Sequence, residues 1–241
     1  MAQTFLKARW EHIIMANYTV PPGVLKPYLP DGLELDLFEQ QAMVSLVGFR
    51  FAGTRLFSLP IPWFGTFEEI NLRFYVLRKE AGLTKRGVVF INETVPHRPV
   101  AFLANYLYQE HYTCAPMISH YTQMAGIQRI KYQWKQGSQW YHIGVQASTS
   151  AKPLIPGTVE SFIYEHYYGY TGTPGRPTME YEVRHPAWLV NDVISYRIDC
   201  DFEALYGKTF CFLNKQTPHS VLHTPGSPVT IPWKRNKIAI I

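Results

Sequence analysis

Four polar side chains recur at every second position between Phe67 and Leu77: Glu69, Asn71, Arg73 and Tyr75. Ile70, Leu72, Phe74 and Val76 fill the places between them. Successive side chains of a β-strand point to opposite faces, so this alternation predicts a strand with one apolar face and one hydrogen-bonding face. If the hydrogen-bonding face lines a cavity, Arg73 would hold a carboxylate or enolate oxygen. A desolvated Glu69 could then move a proton, with Asn71 and Tyr75 as ligand-binding neighbours. Two other arrangements fit the same residues. In one, the polar face meets water, as in many antiparallel strands. Alternatively, Glu69 and Arg73 form a buried ion pair in a filled interior, and removing one partner would cost ~3–5 kcal/mol.

Other candidate residues lie outside this strand. His111 and Tyr112 stand in Gln109-Glu110-His111-Tyr112 just after a predicted helix, a position where loops often carry function. Glu165 sits among aromatics in Glu165-His166-Tyr167-Tyr168, where burial without a partner would raise its pKa; pairing with an arginine is the alternative. His185, before Pro186-Ala187-Trp188, fits packing better than chemistry. There is no G-x-S-x-G elbow and no phosphate-binding glycine loop. His219 and His223 are four apart, but Pro218 and Pro225 argue against a helix there, and an extended chain would part them by ~13 Å. No metal site and no cofactor are expected.

The elements that must position these residues are mostly strands. Val20 to Pro30 reads as a short helix with proline at entry and exit, and Leu33 to Phe38 as a strand. Ala42 to Phe51 is almost wholly apolar, a strand buried on both faces. Pro60 and Pro62 mark a loop. Gly82 to Gly87 reads as a polar turn before a short strand, Val88 to Ile91. Val100, Leu103, Ala104 and Leu107 give Arg98 to Tyr108 a helical spacing. Glu110 to Met117 leaves that helix in irregular or extended form.

A hairpin follows, with Ile130, Tyr132 and Trp134 alternating against basic residues, a turn at Gln136-Gly137-Ser138, and a return over Trp140 to Ala147. Thr158 caps a short helix through Tyr164. Met179 to Val183 and Asp192 to Ile198 are strands, and Asp201 to Tyr206 is a short helix closed by Gly207. Brief helices, no linker and no internal repeat predict one domain over residues 1–241: mainly β, a single curved antiparallel β barrel with a few short helices.

Bulk composition narrows the function classes. Charged residues make up only 17% of the chain and aromatics 15%, which describes a densely packed globular chain. The net charge of +5 is dispersed, with its densest group at Lys234-Arg235-Asn236-Lys237, so a solvated tail is expected there and no nucleic-acid face. Three scattered cysteines without CxxC spacing suit a reducing cytoplasm. No apolar run approaches the ~20 residues needed to cross a bilayer. The expected protein is soluble and cytoplasmic, with a small-molecule partner; a homo-oligomer is compatible with the sequence.

A further set of residues carries a family resemblance. In order, these are Asn17-Tyr18-Thr19-Val20-Pro21, Leu29 to Asp36, Val44 to Phe51, Phe67 to Val76, Glu165-His166-Tyr167 and His185-Pro186-Ala187-Trp188. Together they resemble the bacterial YqjF-like family of unknown function, and the Glu-x-Asn-x-Arg-x-Tyr-Val element is the most specific part. The resemblance implies the acetoacetate-decarboxylase-like superfamily, whose fold is a curved, mostly antiparallel barrel around an apolar site, and it favours an inward-facing Glu69 and Arg73. True decarboxylases of that fold use a lysine pair, one lysine forming a Schiff base. No lysine falls between Lys85 and Lys131 here, so Schiff-base decarboxylation by that route is not expected. The chain also departs from its nearer family, which usually has Leu-Pro-Tyr in place of Glu110-His111-Tyr112 and Glu-Arg-Tyr in place of Glu165-His166-Tyr167. The expected function is binding of a small organic acid or apolar metabolite. The alternative is a lyase or isomerase using Glu69 and Arg73.

Overall fold

The computed structural model describes residues 3–108 and 110–238; Met1, Ala2 and Gln109 of the segments read above lie outside them. The first half of the chain runs β1 (Thr4–Val20), α1 (Pro22–Leu25), β2 (Glu34–Leu35), β3 (Ala42–Leu56), β4 (Leu59–Pro60), β5 (Phe67–Glu80), β6 (Leu83–Val95), α2 (Arg98–Tyr108) and β7 (Tyr112–Cys114). The second half runs β8 (Met117–Met124), β9 (Ile127–Gln136), β10 (Gln139–Pro153), α3 (Val159–Tyr164), β11 (Tyr168–Thr171), β12 (Thr178–Glu182), β13 (Leu189–Asp199), α4 (Phe202–Tyr206), β14 (Ser220–Pro232) and β15 (Arg235–Ile238).

All the strands join one sheet, in the order β15-β12-β11-β6-β5-β3-β1-β14-β13-β10-β9-β8, with the short β2, β4 and β7 attached to β5, β3 and β6. Pairing is antiparallel throughout except at β6–β11 and β6–β7, which are parallel. The sheet is strongly curved and mainly antiparallel, as expected, but its end strands β15 and β8 are not hydrogen-bonded to each other. It curls without closing into a barrel. The weakest seam is β13–β14, joined by the single pair Asn191↔His223.

Curling buries β5 on both sides. Its apolar residues Ile70, Leu72, Phe74 and Val76 pack with Tyr132, Trp134 and Ile143 of the β9–β10 hairpin. Gly48 marks how close the layers come, because a Cβ there would stand 3.0 Å from Ile70, Tyr132 and Ile143 at once. The opposite face of β5 meets a second cluster containing Met15, Val47, Phe49, Phe162 and Trp188. This second layer is absent from a strand whose polar face meets water.

Local signals set three helix ends. The Thr158 side chain accepts from the Ser161 N–H at the start of α3, and Asp201 accepts from the Ala204 N–H at the start of α4. Gly207 ends α4 with φ of 94°, in the region that favours glycine.

Three readings of the sequence change. The Leu33 to Phe38 strand shrinks to Glu34–Leu35, held on the end of β5. The supposed turn at Gly82 to Gly87 is mostly strand, since β6 starts at Leu83. Lys234 to Lys237 is not a free tail: β15 pairs with β12, and Arg235 lies over the Trp233 ring. The longest strand, β1, was not anticipated from the sequence; a bulge at His12 (φ 53°) interrupts it. Among the described residues no helix is long and apolar enough to cross a membrane.

Candidate functional site

The polar face of β5 opens onto a cavity of about 230 Å3. Glu69, Asn71 and Arg73 line it from β5, Glu93 from β6, and Glu110 and Tyr112 from the chain leaving α2. The walls are apolar and aromatic, including Trp10, Phe49, Phe67 and Trp188.

A cross-strand row brings the acids together. Asn71 pairs with Glu93, and Glu93 pairs in parallel with Tyr112. Glu93 reaches the cavity because the β5–β6 register shifts between Leu72 and Arg73, which makes Ile91 an extra residue. That bulge rephases β6, so that Val88, Phe90 and Glu93 share the cavity side. Around the row, Asn71 Nδ2 donates to Glu69 Oε1 at 3.0 Å and the Tyr112 hydroxyl donates to Glu69 Oε2 at 3.1 Å. Tyr112 is anchored in turn by Asn105 of α2, whose side-chain oxygen accepts from the Tyr112 N–H at 2.7 Å. Glu110 accepts from the Tyr181 hydroxyl at 2.7 Å and shares a hydrogen bond with Glu93, a contact that needs a proton between them.

Burial controls the charge of this cluster. It pushes Glu69 up to about 7, against the opposing pull of Asn71, Tyr112 and Arg73. Glu110 rises to about 8 by burial, opposed by Tyr181 and helped by Glu69. Glu93 lies well above the usual range through burial and the neighbouring Glu110 and Glu69. Water expelled from around a carboxyl disfavours its anion, and like charges reinforce the effect.

Arg73 has different surroundings. It is only 9% exposed, and among the described residues it forms no ion pair within 4 Å. Its Nη2 donates to Met15 Sδ at 3.5 Å, and its Nε has no partner. Glu69 and Arg73 are therefore not a salt bridge. Beside Arg73 lies His166, whose Nε2 faces Asp36 at 3.1 Å, while Arg86 holds the same Asp36 oxygen at 2.6 Å. Burial depresses His166 to about 4, so its ring is neutral.

The other candidate residues are placed differently. Tyr112 lies on the cavity. Tyr75 is buried just behind it, with its hydroxyl bonded to Ser45 and its ring 4.7 Å from His166. His111 is exposed and turns only its backbone carbonyl inward, accepting from Asn92 at 2.7 Å. Glu165, at the C-cap of α3, lines a separate outer groove and accepts from the Tyr167 hydroxyl at 3.3 Å. Neither the His111 ring nor Glu165 meets the cavity. Sequence reasoning passed over Glu93, Glu110, His166 and Tyr181 as site residues. Glu93 did leave a signal, as the one acid in the apolar run Val88 to Val95. Among the described residues no lysine lines the cavity.

The fold is shared with solved enzymes of low sequence identity. An acetoacetate decarboxylase-like enzyme from Sphingomonas wittichii RW1 superposes with a TM-score of 0.66 at 10% identity, over 99% of this chain and 94% of that one. The enduracididine biosynthesis enzyme MppR, complexed with pyruvate, gives 0.65 at 11% identity over 100% and 92%. Acetoacetate decarboxylase from Legionella pneumophila subsp. pneumophila str. Philadelphia 1 gives 0.64 at 15% identity over 98% and 87%. In sequence, the chain is 26% identical to the uncharacterized protein YqjF of Bacillus subtilis (strain 168) over 188 residues, 78% of this chain and 75% of YqjF. The model of the DUF2071 family, described as "Uncharacterized conserved protein (COG2071)", matches residues 7–228, and the chain belongs to that family.

Proposed function

We propose that this protein binds a small carboxylic acid in the β5 cavity, with Arg73 receiving the carboxylate. The observation that carries this reading is a buried guanidinium on a cavity wall with no ion pair within 4 Å and an unpartnered Nε among the described residues. A charge removed from water is costly unless it is paired. A bound carboxylate supplies the pair, and the planar fork of arginine accepts it in two parallel hydrogen bonds. The cavity, at about 230 Å3, is smaller than the ~300–1,000 Å3 usual for drug-sized ligands, which favours a small metabolite. MppR, which shares the fold, was solved with pyruvate, itself a small acid.

A second reading, a lyase or isomerase, is favoured by Glu69. A carboxyl held near 7 between Asn71 and Tyr112 is poised to take or return a proton. With no lysine on the walls, that chemistry would proceed through proton transfer and not through a Schiff base.

Calorimetry with pyruvate, acetoacetate and butyrate on wild type and Arg73→Gln tests the first reading. Binding to wild type that vanishes in a folded Arg73→Gln supports it, and equal binding to both proteins refutes it. Exchange of the ligand's α-hydrogens in heavy water, lost in Glu69→Gln, is the expected outcome under the second.

A further inference from the structure

Buried polar atoms without partners are uncommon, and each one calls for an explanation. Around this cavity they include both acceptors and donors. Asn71 Oδ1 and Glu93 Oε2 are unpartnered acceptors, and their residues stand opposite each other on β5 and β6. One step along β5 the unpartnered atoms are donors. Arg73 contributes its Nε and Tyr164 a hydroxyl, while the unpartnered indole N–H groups of Trp188 and Trp10 lead away from Arg73, Trp10 standing level with Phe67 through Phe51. These rings are neighbours: Tyr164 lies 5.0 Å from Trp188, and Trp188 6.1 Å from Trp10. Tyr164 also senses the Arg73 charge. His166 Nδ1 is the one acceptor at this end, because its Nε2–H points to the Asp36 carboxylate.

The acceptor end also carries the surplus of acid. Glu69, Glu93 and Glu110 converge there, and among the described residues Arg73 is the only lysine or arginine on the cavity wall. A hydroxyl on the ligand would satisfy the two acceptors but could not take the place of the protons that these carboxyls hold. A protonated nitrogen does both.

We infer that the ligand is bipolar, a carboxylate and a protonated amine separated by a few methylenes. The carboxylate sits on Arg73 and the nitrogen between Asn71 Oδ1 and Glu93 Oε2. The two ends lie two residues apart along β5, a step of ~7 Å, which suits a short amino acid with a terminal amine. This inference rests on the carboxylate reading of Arg73 and adds the chemistry of the other end.

Calorimetric titration of wild type near neutral pH with butyrate, 4-hydroxybutyrate and 4-aminobutyrate tests it, run in two buffers of different ionisation enthalpy. 4-Aminobutyrate is expected to bind roughly tenfold or more tighter than butyrate, the scale of a hydrogen bond to a charged group. Its binding should also release protons, because the ammonium displaces those held by Glu69 and Glu110. Glu93→Gln should bring the affinity ratio towards one. Butyrate binding as tightly as 4-aminobutyrate would overturn the inference while leaving the Arg73 reading standing. The same holds if 4-hydroxybutyrate matches 4-aminobutyrate, or if no protons are released. If none of the three acids binds, the Arg73 reading fails and this inference falls with it.

Discussion

The Tyr112 hydroxyl donates to Glu69 Oε2 at 3.1 Å, so a residue of the short strand β7 sets the charge of a carboxyl on β5, two strands away. That bond favours the anion, which is why it lowers Glu69 against the upward push of burial. Tyr112→Phe removes it. The variant is expected to lose about 1 kcal/mol of stability, the net worth of one hydrogen bond. Glu69 should then titrate above about 7, followed as an upward displacement of its protonated-carboxyl infrared band with pH. A Glu69 titration unchanged by the substitution would show that Tyr112 does not tune it.

Stability should fall as pH rises from about 6.5 to 8. Glu69 and Glu110 hold their protons in the folded state up to about 7 and 8, whereas in the unfolded chain they ionise near 4.5. The folded state therefore binds more protons in this window, and the slope of unfolding free energy against pH is negative. Below about 6.5 the trend is masked. His166, depressed to about 4 from 6.5, contributes the opposite slope there, because the unfolded chain binds its proton first. Melting temperatures across this range should decline in wild type and flatten in Glu110→Gln. A flat wild-type profile would show that the carboxyls are already ionised.

Arg73→Met separates a ligand-binding arginine from a structural one. With no carboxylate of the described residues within 4 Å, removing the charge strands no ion-pair partner, so the loss is expected to stay within about 1 kcal/mol in urea denaturation. A loss of ~3–5 kcal/mol, the usual cost of breaking a buried pair, would contradict the geometry described for Arg73.

Gly169→Ala tests how the fold positions Glu110. Gly169 and Tyr181 pair across β11 and β12, and the Tyr181 ring lies on the glycine so closely that a Cβ would come within 2.1 Å of it. The same ring delivers its hydroxyl to Glu110. The methyl group must therefore displace the ring, at an expected ~1–3 kcal/mol. Glu110 loses a donor and should titrate above about 8. A crystal structure with Tyr181 unmoved would refute the link.

Several features were legible in the sequence because they are local. The two faces of β5 follow from alternation alone, and α2 from the helical spacing of Val100, Leu103, Ala104 and Leu107. Thr158, Asp201 and Gly207 mark helix ends through bonds and dihedrals within a few residues of themselves. The mainly β class, the β9–β10 hairpin and the absence of lysine in the Lys85 to Lys131 interval were readable for the same reason.

What alternation cannot say is whether a polar face meets water or a second layer, since that depends on how far the sheet curls. Only tertiary structure placed Met15, Phe162 and Trp188 over the polar face of β5. A one-residue bulge at Ile91 turned Glu93 to the cavity side, and one extra residue reverses the phase of everything after it. Glu110 and Tyr181 lie 71 residues apart in the chain and meet only because β11 and β12 join the sheet beside β6. His111 and Glu165 look like site residues by type and neighbourhood, yet one faces solvent and the other an outer groove. The sequence alone determined which side chains share a strand face. The curl and register of the sheet decided which of them share a cavity, because those depend on pairings between segments far apart in the chain.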